Sequence, residues 1–222
     1  KYAAAGADDN YVIKLSGGSH IIFKQMTIRT GKGMYANGVV LEDNSSHIRF
    51  LNCLLKGNYH SDNSARYHLV SLTVPHVHYI SFEYCRMDSA GAAISLSSGD
   101  AANPIQGVYI TNNQVTNVGY AAINLNQSYY PQIRSNQIQA NSVGIKMSSG
   151  HGQSIIEKNR IYSNSSGMEL NLNGYAGYHA LITNNFIISG EQDAMSVQGQ
   201  YIDIYNNSIY SNSYMGTTSA LD

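Results

Sequence analysis

Lys146 and Glu169 stand 23 residues apart, each between two apolar neighbours (Ile145 and Met147, Met168 and Leu170), and Asn124 has the same setting between Ile123 and Leu125. A lysine so placed could take a proton in β-elimination from a uronic acid, with Ca²⁺ or an arginine neutralising the sugar carboxylate. No cluster of acidic residues suited to calcium accompanies it. Asp100, Asp193 and Asp203 are too scattered to make the paired carboxylates of a glycosidase. No catalytic residue is therefore assigned, and the Lys146/Glu169 pair reads more simply as a surface ion pair worth under about 1 kcal/mol. Tyr129, Tyr130, Tyr175 and Tyr178 lie in connections near these positions, together with His151, His179 and Tyr201. Rings beside amides and hydroxyls suit stacking on sugars, and tyrosine also anchors protein recognition. The candidate glycan-binding set is Asn124, Lys146, Glu169, Tyr129, Tyr130, Tyr175 and Tyr178. An ordinary solvated sheet edged by tyrosines has the same composition. His60, Asp62, Arg66, His68, His76 and His78 form the other polar cluster. Their spacing matches no helical or cysteine-containing ligand pattern, so no metal or cofactor is assigned.

The elements that must position these residues come from a repeat. Units such as Val108-Tyr109-Ile110-Thr111-Asn112-Asn113-Gln114-Val115 recur, with the central Asn at 113, 136, 159, 185 and 207. Towards the N-terminus the same column holds Cys85, Cys53 and Met26. Three residues before it run Phe23, Phe50, Phe82, Ile110, Ile133, Ile156, Ile182 and Ile204. Two residues after it run Ile28, Leu55, Met87, Val115, Ile138, Ile161, Ile187 and Ile209. A second apolar pair, two residues apart, precedes each unit, from Ile13/Leu15 to Met195/Val197, so its members share one face of a strand. A return every 22 to 32 residues with strand alternation implies a solenoid. The expected fold is all-β: a right-handed parallel β-helix of about eight rungs, each of three short strands. The Asn column is expected in the tight bend between second and third strands, where Asn tolerates unusual backbone angles and its amide can bond its counterpart one rung away. Outward positions of the first strand then align as Lys14, Val40, Ser71, Ser95, Asn124, Lys146, Glu169 and Ser196. The next outward column is Ser16, Glu42, Thr73, Ser97, Asn126, Ser148, Asn171 and Gln198.

Composition narrows the partners. Of 222 residues only 12% are charged and the net charge is −1, so no electrostatic footprint for nucleic acid or anionic membrane exists. No apolar run approaches the roughly 18–20 residues of a membrane span. Cys53 and Cys85 share a column in neighbouring rungs. They are either buried free thiols or a disulfide, and the column directs the two sulfurs parallel rather than toward each other. The whole chain, 1–222, reads as one β-helix domain. It opens on Lys1-Tyr2-Ala3 and closes on Thr218–Asp222, which matches the first strand of a ninth rung, so a segment of a longer protein is expected.

Units such as Ile133-Arg134-Ser135-Asn136-Gln137-Ile138, followed by Gly144-Ile145, resemble the right-handed parallel β-helix of the pectate lyase-like superfamily. The likeness covers essentially all of the chain. The stretch from Asn10 to Phe23, NYVIKLSGGSHIIF, resembles the opening of β-helix segments in large secreted surface proteins of Bacteroidetes-type bacteria, many exported by the type IX system. That superfamily spans polysaccharide lyases, glycoside hydrolases, tailspikes and non-catalytic adhesins, so fold alone does not select among them. The resemblance and the charge-poor Asn/Ser/Tyr surface imply an extracellular or cell-surface location. The expectation is a non-catalytic rigid stalk or adhesin that binds an extracellular polysaccharide or a cell-surface partner. The alternative is a polysaccharide lyase or glycoside hydrolase.

Overall fold

A computed structural model describes residues 11–31, 37–61, 67–72, 74 and 76–212. Asn10, Asp62, Arg66, Thr73 and the two terminal stretches discussed above, Lys1–Tyr2–Ala3 and Thr218–Asp222, lie outside those residues. The described chain forms 22 strands joined in one sheet that winds into a coil. Rung one is Tyr11–Ser16, Ser19–Lys24 and Thr27–Arg29, and rung two is Asn37–Glu42, Ser46–Leu51 and Leu54–Lys56. Rungs three to five run together through two long strands, Arg86–Ser97 and Gln114–Tyr129, each carrying the third strand of one rung into the first of the next. Rung six is Val143–His151, Ile155–Glu157 and Arg160–Ser163; rung seven is Ser166–Asn173, Ala180–Thr183 and Phe186–Ser189; rung eight is Met195–Gln200, Ile202–Tyr205 and Ser208–Ser211. Eight triads thus stack through about seven turns. No helix among the described residues is long and apolar enough to cross a membrane.

Every rung-to-rung pairing is parallel, and the registers reproduce the columns of the repeat. Phe23 pairs with Phe50, Phe50 with Phe82, Phe82 with Ile110, and so on to Ile182 with Ile204. The phenylalanine rings stack face to face with centroids 4.9 and 5.1 Å apart. β-branched and aromatic side chains dominate because each rung can bury one face only against its neighbours. The Gly-Ile unit has a steric cause at the third-to-first bend. A Cβ on Gly144 would lie 2.5 Å from the Gly167 carbonyl oxygen, and one on Gly167 would lie 2.3 Å from that of Ala194.

The Asn column forms the expected ladder. Asn113 Nδ2 donates to Asn136 Oδ1 (3.0 Å), Asn136 to Asn159 (2.9 Å), Asn159 to Asn185 (3.0 Å) and Asn185 to Asn207 (3.0 Å). The second amide hydrogen reaches back to a carbonyl, as from Asn136 Nδ2 to Ile110 O at 2.8 Å. Cys85 and Cys53 replace that donor with Sγ, at 3.4 Å from Phe50 O and 3.3 Å from Phe23 O. Both cysteines are free and buried. Met26 keeps the register but is 43% exposed and offers no such bond.

Unusual backbone angles do not account for the Asn column. The left-handed residue of the bend is not the ladder Asn but the one before it: Gln25, Asn52, Tyr84, Asn112, Ser135, Lys158, Asn184 and Asn206 all have φ between 52 and 57°. Each donates its N–H across to the next rung where a next rung exists, as from Ser135 to Glu157 O at 3.0 Å. Asn is selected in its own column by side-chain hydrogen bonding, not by φ.

Candidate functional site

The first-strand face brings three candidate residues into line. Asn124 pairs in register with Lys146, and Lys146 with Glu169. Strand alternation points all three outward, since Ile123, Leu125, Ile145, Met147, Met168 and Leu170 fill the core. Asn124 Nδ2 donates to Ser95 Oγ at 3.2 Å, and Asn126 Nδ2 to Ser97 Oγ at 3.1 Å. Lys146 Nζ and Glu169 Oε2 form an ion pair at 2.5 Å. The net effect raises the lysine pKa: burial opposes the charge, but the Glu169 hydrogen bond and carboxylate charge outweigh it. A lysine held protonated in this way is a poor proton acceptor at neutral pH. Ser71 and Ser95, in the same outward column, are buried and interrupt it, and the column opens again from Asn124. Across rungs six to eight it forms a shallow groove of about 270 Å³ lined by Lys146, Ser148, Glu169, Asn171, Ser196 and Gln198.

The four tyrosines gather where the first strands end. Tyr130 and Tyr175 hydroxyls lie 2.6 Å apart, although they belong to rungs five and seven. Tyr175 packs against Tyr178 with centroids 5.3 Å apart, and Tyr129 meets Tyr130 edge-on at 5.8 Å. The hydroxyl pair is built by a tight hairpin. Tyr175 and Tyr178 exchange backbone hydrogen bonds across a turn that places Gly177 at φ 82°. Tyr130 reaches over rung six because Gly152 lies beneath its ring, where a Cβ would come within 2.6 Å. The hydrogen bond to Tyr130 pushes the Tyr175 hydroxyl up to about 12.

The tyrosine cluster and the charged strip share an edge of the coil but do not touch. Lys146 and His151 are five positions apart on one strand, about 16 Å at the usual rise. Asn126, Ser148 and Asn171 fill the interval. One face of Tyr129 is covered by His151, at 5.1 Å and 22°. Tyr130, Tyr175 and Tyr178 are the exposed rings.

Other singled-out residues have local roles. Asp100 closes its own loop, accepting from Ala102 N at 2.9 Å and Asn103 Nδ2 at 2.7 Å. Asp203 pairs with His179 at 3.1 Å. His60 stacks on Tyr67 at 3.8 Å, while His68 is buried and its backbone N–H donates to Asn37 Oδ1. Burial, then the neighbouring His76, lowers the His78 pKa. Among the described residues no three His, Cys, Asp or Glu side chains converge on a common point.

Two arrangements escaped the sequence reading, and both lie on the third-strand face. Asp88 is a buried acid that takes Lys56 Nζ at 2.8 Å, Asn117 Nδ2 at 2.8 Å and Thr116 Oγ1 at 3.3 Å. The Lys56 bond first, with the Asn117 and Ser89 bonds, holds its carboxyl down at about 2. Further along, Arg160 sits against Tyr162 and Phe186 beside a groove. The signal was present in the outward third-strand columns, where Arg86, Gln114, Gln137, Arg160 and Phe186 succeed one another.

Compared with known proteins, no curated protein and no solved structure gives a match. The family model for the right-handed β-helix region matches residues 70–220, well over half of the chain. Together with the parallel register and the asparagine ladder, this shows that the chain belongs to the right-handed β-helix family.

Proposed function

We propose that this β-helix is a secreted or cell-surface module that binds an extracellular glycan on its first-strand face without cleaving it. The observation that carries the reading is a rigid polar strip, Asn124 to Glu169 and on to Gln198, bordered at its end by the bridged pair Tyr130 and Tyr175. Amides, hydroxyls and a charged pair at fixed rung spacing offer hydrogen bonds to sugar hydroxyls, and the exposed tyrosine rings offer apolar faces. Because the strands are already ordered, little protein entropy is lost on binding. The likeness of the repeat to the pectate lyase-like superfamily, and of its opening phrase to type IX-exported surface proteins, is consistent with an extracellular polysaccharide as ligand. The ion pairing of Lys146 weighs against its use as an elimination base.

Titration of neutral and acidic polysaccharides against the wild type and a Tyr130→Ala/Tyr175→Ala variant tests this. Binding that the double variant weakens by about tenfold supports the first-strand site. If no polysaccharide binds either protein, the chain is a stalk and the glycan reading fails. The lyase reading rests on Lys146 standing on the open strip. Depolymerisation with new unsaturated-uronate absorbance, abolished by Lys146→Ala, would replace binding by catalysis.

A further inference from the structure

A second groove, of about 280 Å³, lies on a different side of the coil, against the third strands of rungs four to six. It is lined by Gln114, Thr116, Gln137, Gln139, Arg160 and Tyr162. Gln114, Gln137 and Arg160 are stacked in register, and Arg86 continues the column one rung earlier. Arg86 and Arg160 are therefore three rungs apart, about 14 Å, with two amides between them.

Charge on this face departs from the rest of the molecule. Elsewhere four of the six described cations are matched across rungs, Lys14 with Glu42, Arg49 with Glu83, Arg134 with Glu157 and Lys146 with Glu169, while Lys24 and Lys158 are not. The described third strands carry Arg29, Lys56, Arg86 and Arg160 but one carboxylate, Asp88, which Lys56 already engages. Arg160 has no carboxylate within ion-pairing distance among the described residues. Instead its guanidinium lies 5.4 Å from the Tyr162 ring and 5.1 Å from the Phe186 ring, with Nε donating to Tyr162 Oη at 2.8 Å. Those contacts fix the fork of the guanidinium while leaving its charge unneutralised, as bidentate recognition of a carboxylate requires.

From this we infer that the third-strand groove is a second binding site, for an acidic oligosaccharide lying along the coil axis. A uronate carboxylate meets Arg160, and a second meets Arg86. Gln114 on rung four and Gln137 and Gln139 on rung five take hydroxyls, and the exposed Phe186 ring offers an apolar face. A neutral glycan would leave the guanidinium unpaired, so the site selects for carboxylates. The inference does not depend on the first-strand site, which lies on another face.

The experiment is calorimetric titration with hexagalacturonate, its fully methyl-esterified form and inorganic polyphosphate. The Tyr130→Ala/Tyr175→Ala background weakens the first-strand site, and the loss that Arg160→Gln causes within it reports the third-strand groove. Hexagalacturonate binds this background, the ester does not, and binding weakens as salt rises. Arg160→Gln lowers the affinity by about tenfold or more with an unchanged melting temperature. Gln137→Ala, which removes no charge, lowers it by a smaller factor. Equal binding of the ester, equal binding of polyphosphate, or affinity for hexagalacturonate unaltered by Arg160→Gln overturns the proposal. Failure of the background protein to bind hexagalacturonate overturns it too, whatever the first-strand site does.

Discussion

The Oδ1 atom of Asn159 accepts two hydrogen bonds from Asn136, one from its backbone N–H at 3.0 Å and one from its Nδ2 amide at 2.9 Å. Asn159 in turn gives its own N–H and amide to Asn185 Oδ1, both at 3.0 Å, and its second amide hydrogen to Ile133 O at 2.8 Å. Asn159 is thus fully used inside a buried bend, where an unmet group is costly.

Asn159→Leu breaks the ladder at its centre. Asn136 loses the acceptor of both its backbone and its amide hydrogen, and Ile133 O loses a donor. The expected cost is about 3 kcal/mol, the upper end for burying an unsatisfied group. Ser148→Ala, on the exposed outer face of the same coil, should cost under about 0.5 kcal/mol. Chemical denaturation of both variants checks the contrast, and equal midpoints would show that the column is not buried scaffold.

Where the column turns to cysteine the ladder is incomplete. Cys85 N–H still donates to Asn113 Oδ1 at 2.8 Å, but Cys85 offers no side-chain oxygen to the Cys53 N–H. Cys85→Asn supplies that oxygen and a stronger donor to Phe50 O. It is expected to raise stability by about 0.5–1.5 kcal/mol, the usual net worth of a hydrogen bond. A lower denaturation midpoint would mean that rung three cannot admit the amide.

Burial pushes the Cys85 thiol up to about 11. Thiolate is the reactive species, so the folded protein at pH 8 should leave Cys85 unlabelled by iodoacetamide. Both cysteines should label once the chain is unfolded. Mass spectrometry of the two samples decides it.

The columns were legible in the sequence because a stacked rung gives each position the same environment eight times. Phe23, Phe50 and Phe82 announce one another, and so do the five asparagines. The left-handed bend residue was not legible, since Gln25, Tyr84 and Lys158 hold it as readily as Asn does. There the conformation is imposed by the ladder beside it and by hydrogen bonds to the next rung. Asp88 stayed hidden because its partners lie 28 to 32 positions away, on rungs whose loop lengths had to be known first. The Tyr130–Tyr175 bridge spans 45 positions and depends on the hairpin at Tyr175–Tyr178, so proximity of the rings could be guessed but not the bond.

Asp88 makes acid stability specific. Its folded pKa of about 2 lies below the value of about 3.9 for a free aspartate. The carboxylate therefore stabilises the fold fully above about pH 4, and that contribution is lost as pH falls towards 2. It amounts to about 1–2 kcal/mol after allowance for partial solvent access at Lys56. Asp88→Asn should flatten the pH dependence of stability between pH 4 and 2. An unchanged slope would place the acid sensitivity elsewhere.

The bridge between Tyr130 and Tyr175 ties loop geometry to the glycan face, and its chemistry can be read directly. Tyr175 is raised to about 12 because its hydroxyl is hydrogen-bonded to that of Tyr130, so the folded state favours the neutral phenol. For an acid whose pKa is raised on folding, the stabilisation is present below the unfolded value near 10 and disappears as pH climbs from there to about 12. Ultraviolet titration of the wild type should show a tyrosine ionising late, and Tyr130→Phe should bring that ionisation down towards 10 while leaving the melting temperature nearly unchanged. The same variant keeps both rings but frees the hairpin at Tyr175–Tyr178, so polysaccharide affinity should fall by a few-fold, less than with Tyr130→Ala/Tyr175→Ala. An ionisation that shifts without any change in affinity would show that the bridge orders the loop but takes no part in recognition. Affinity lost in full with Tyr130→Phe would instead mean that the hydroxyl itself contacts the sugar.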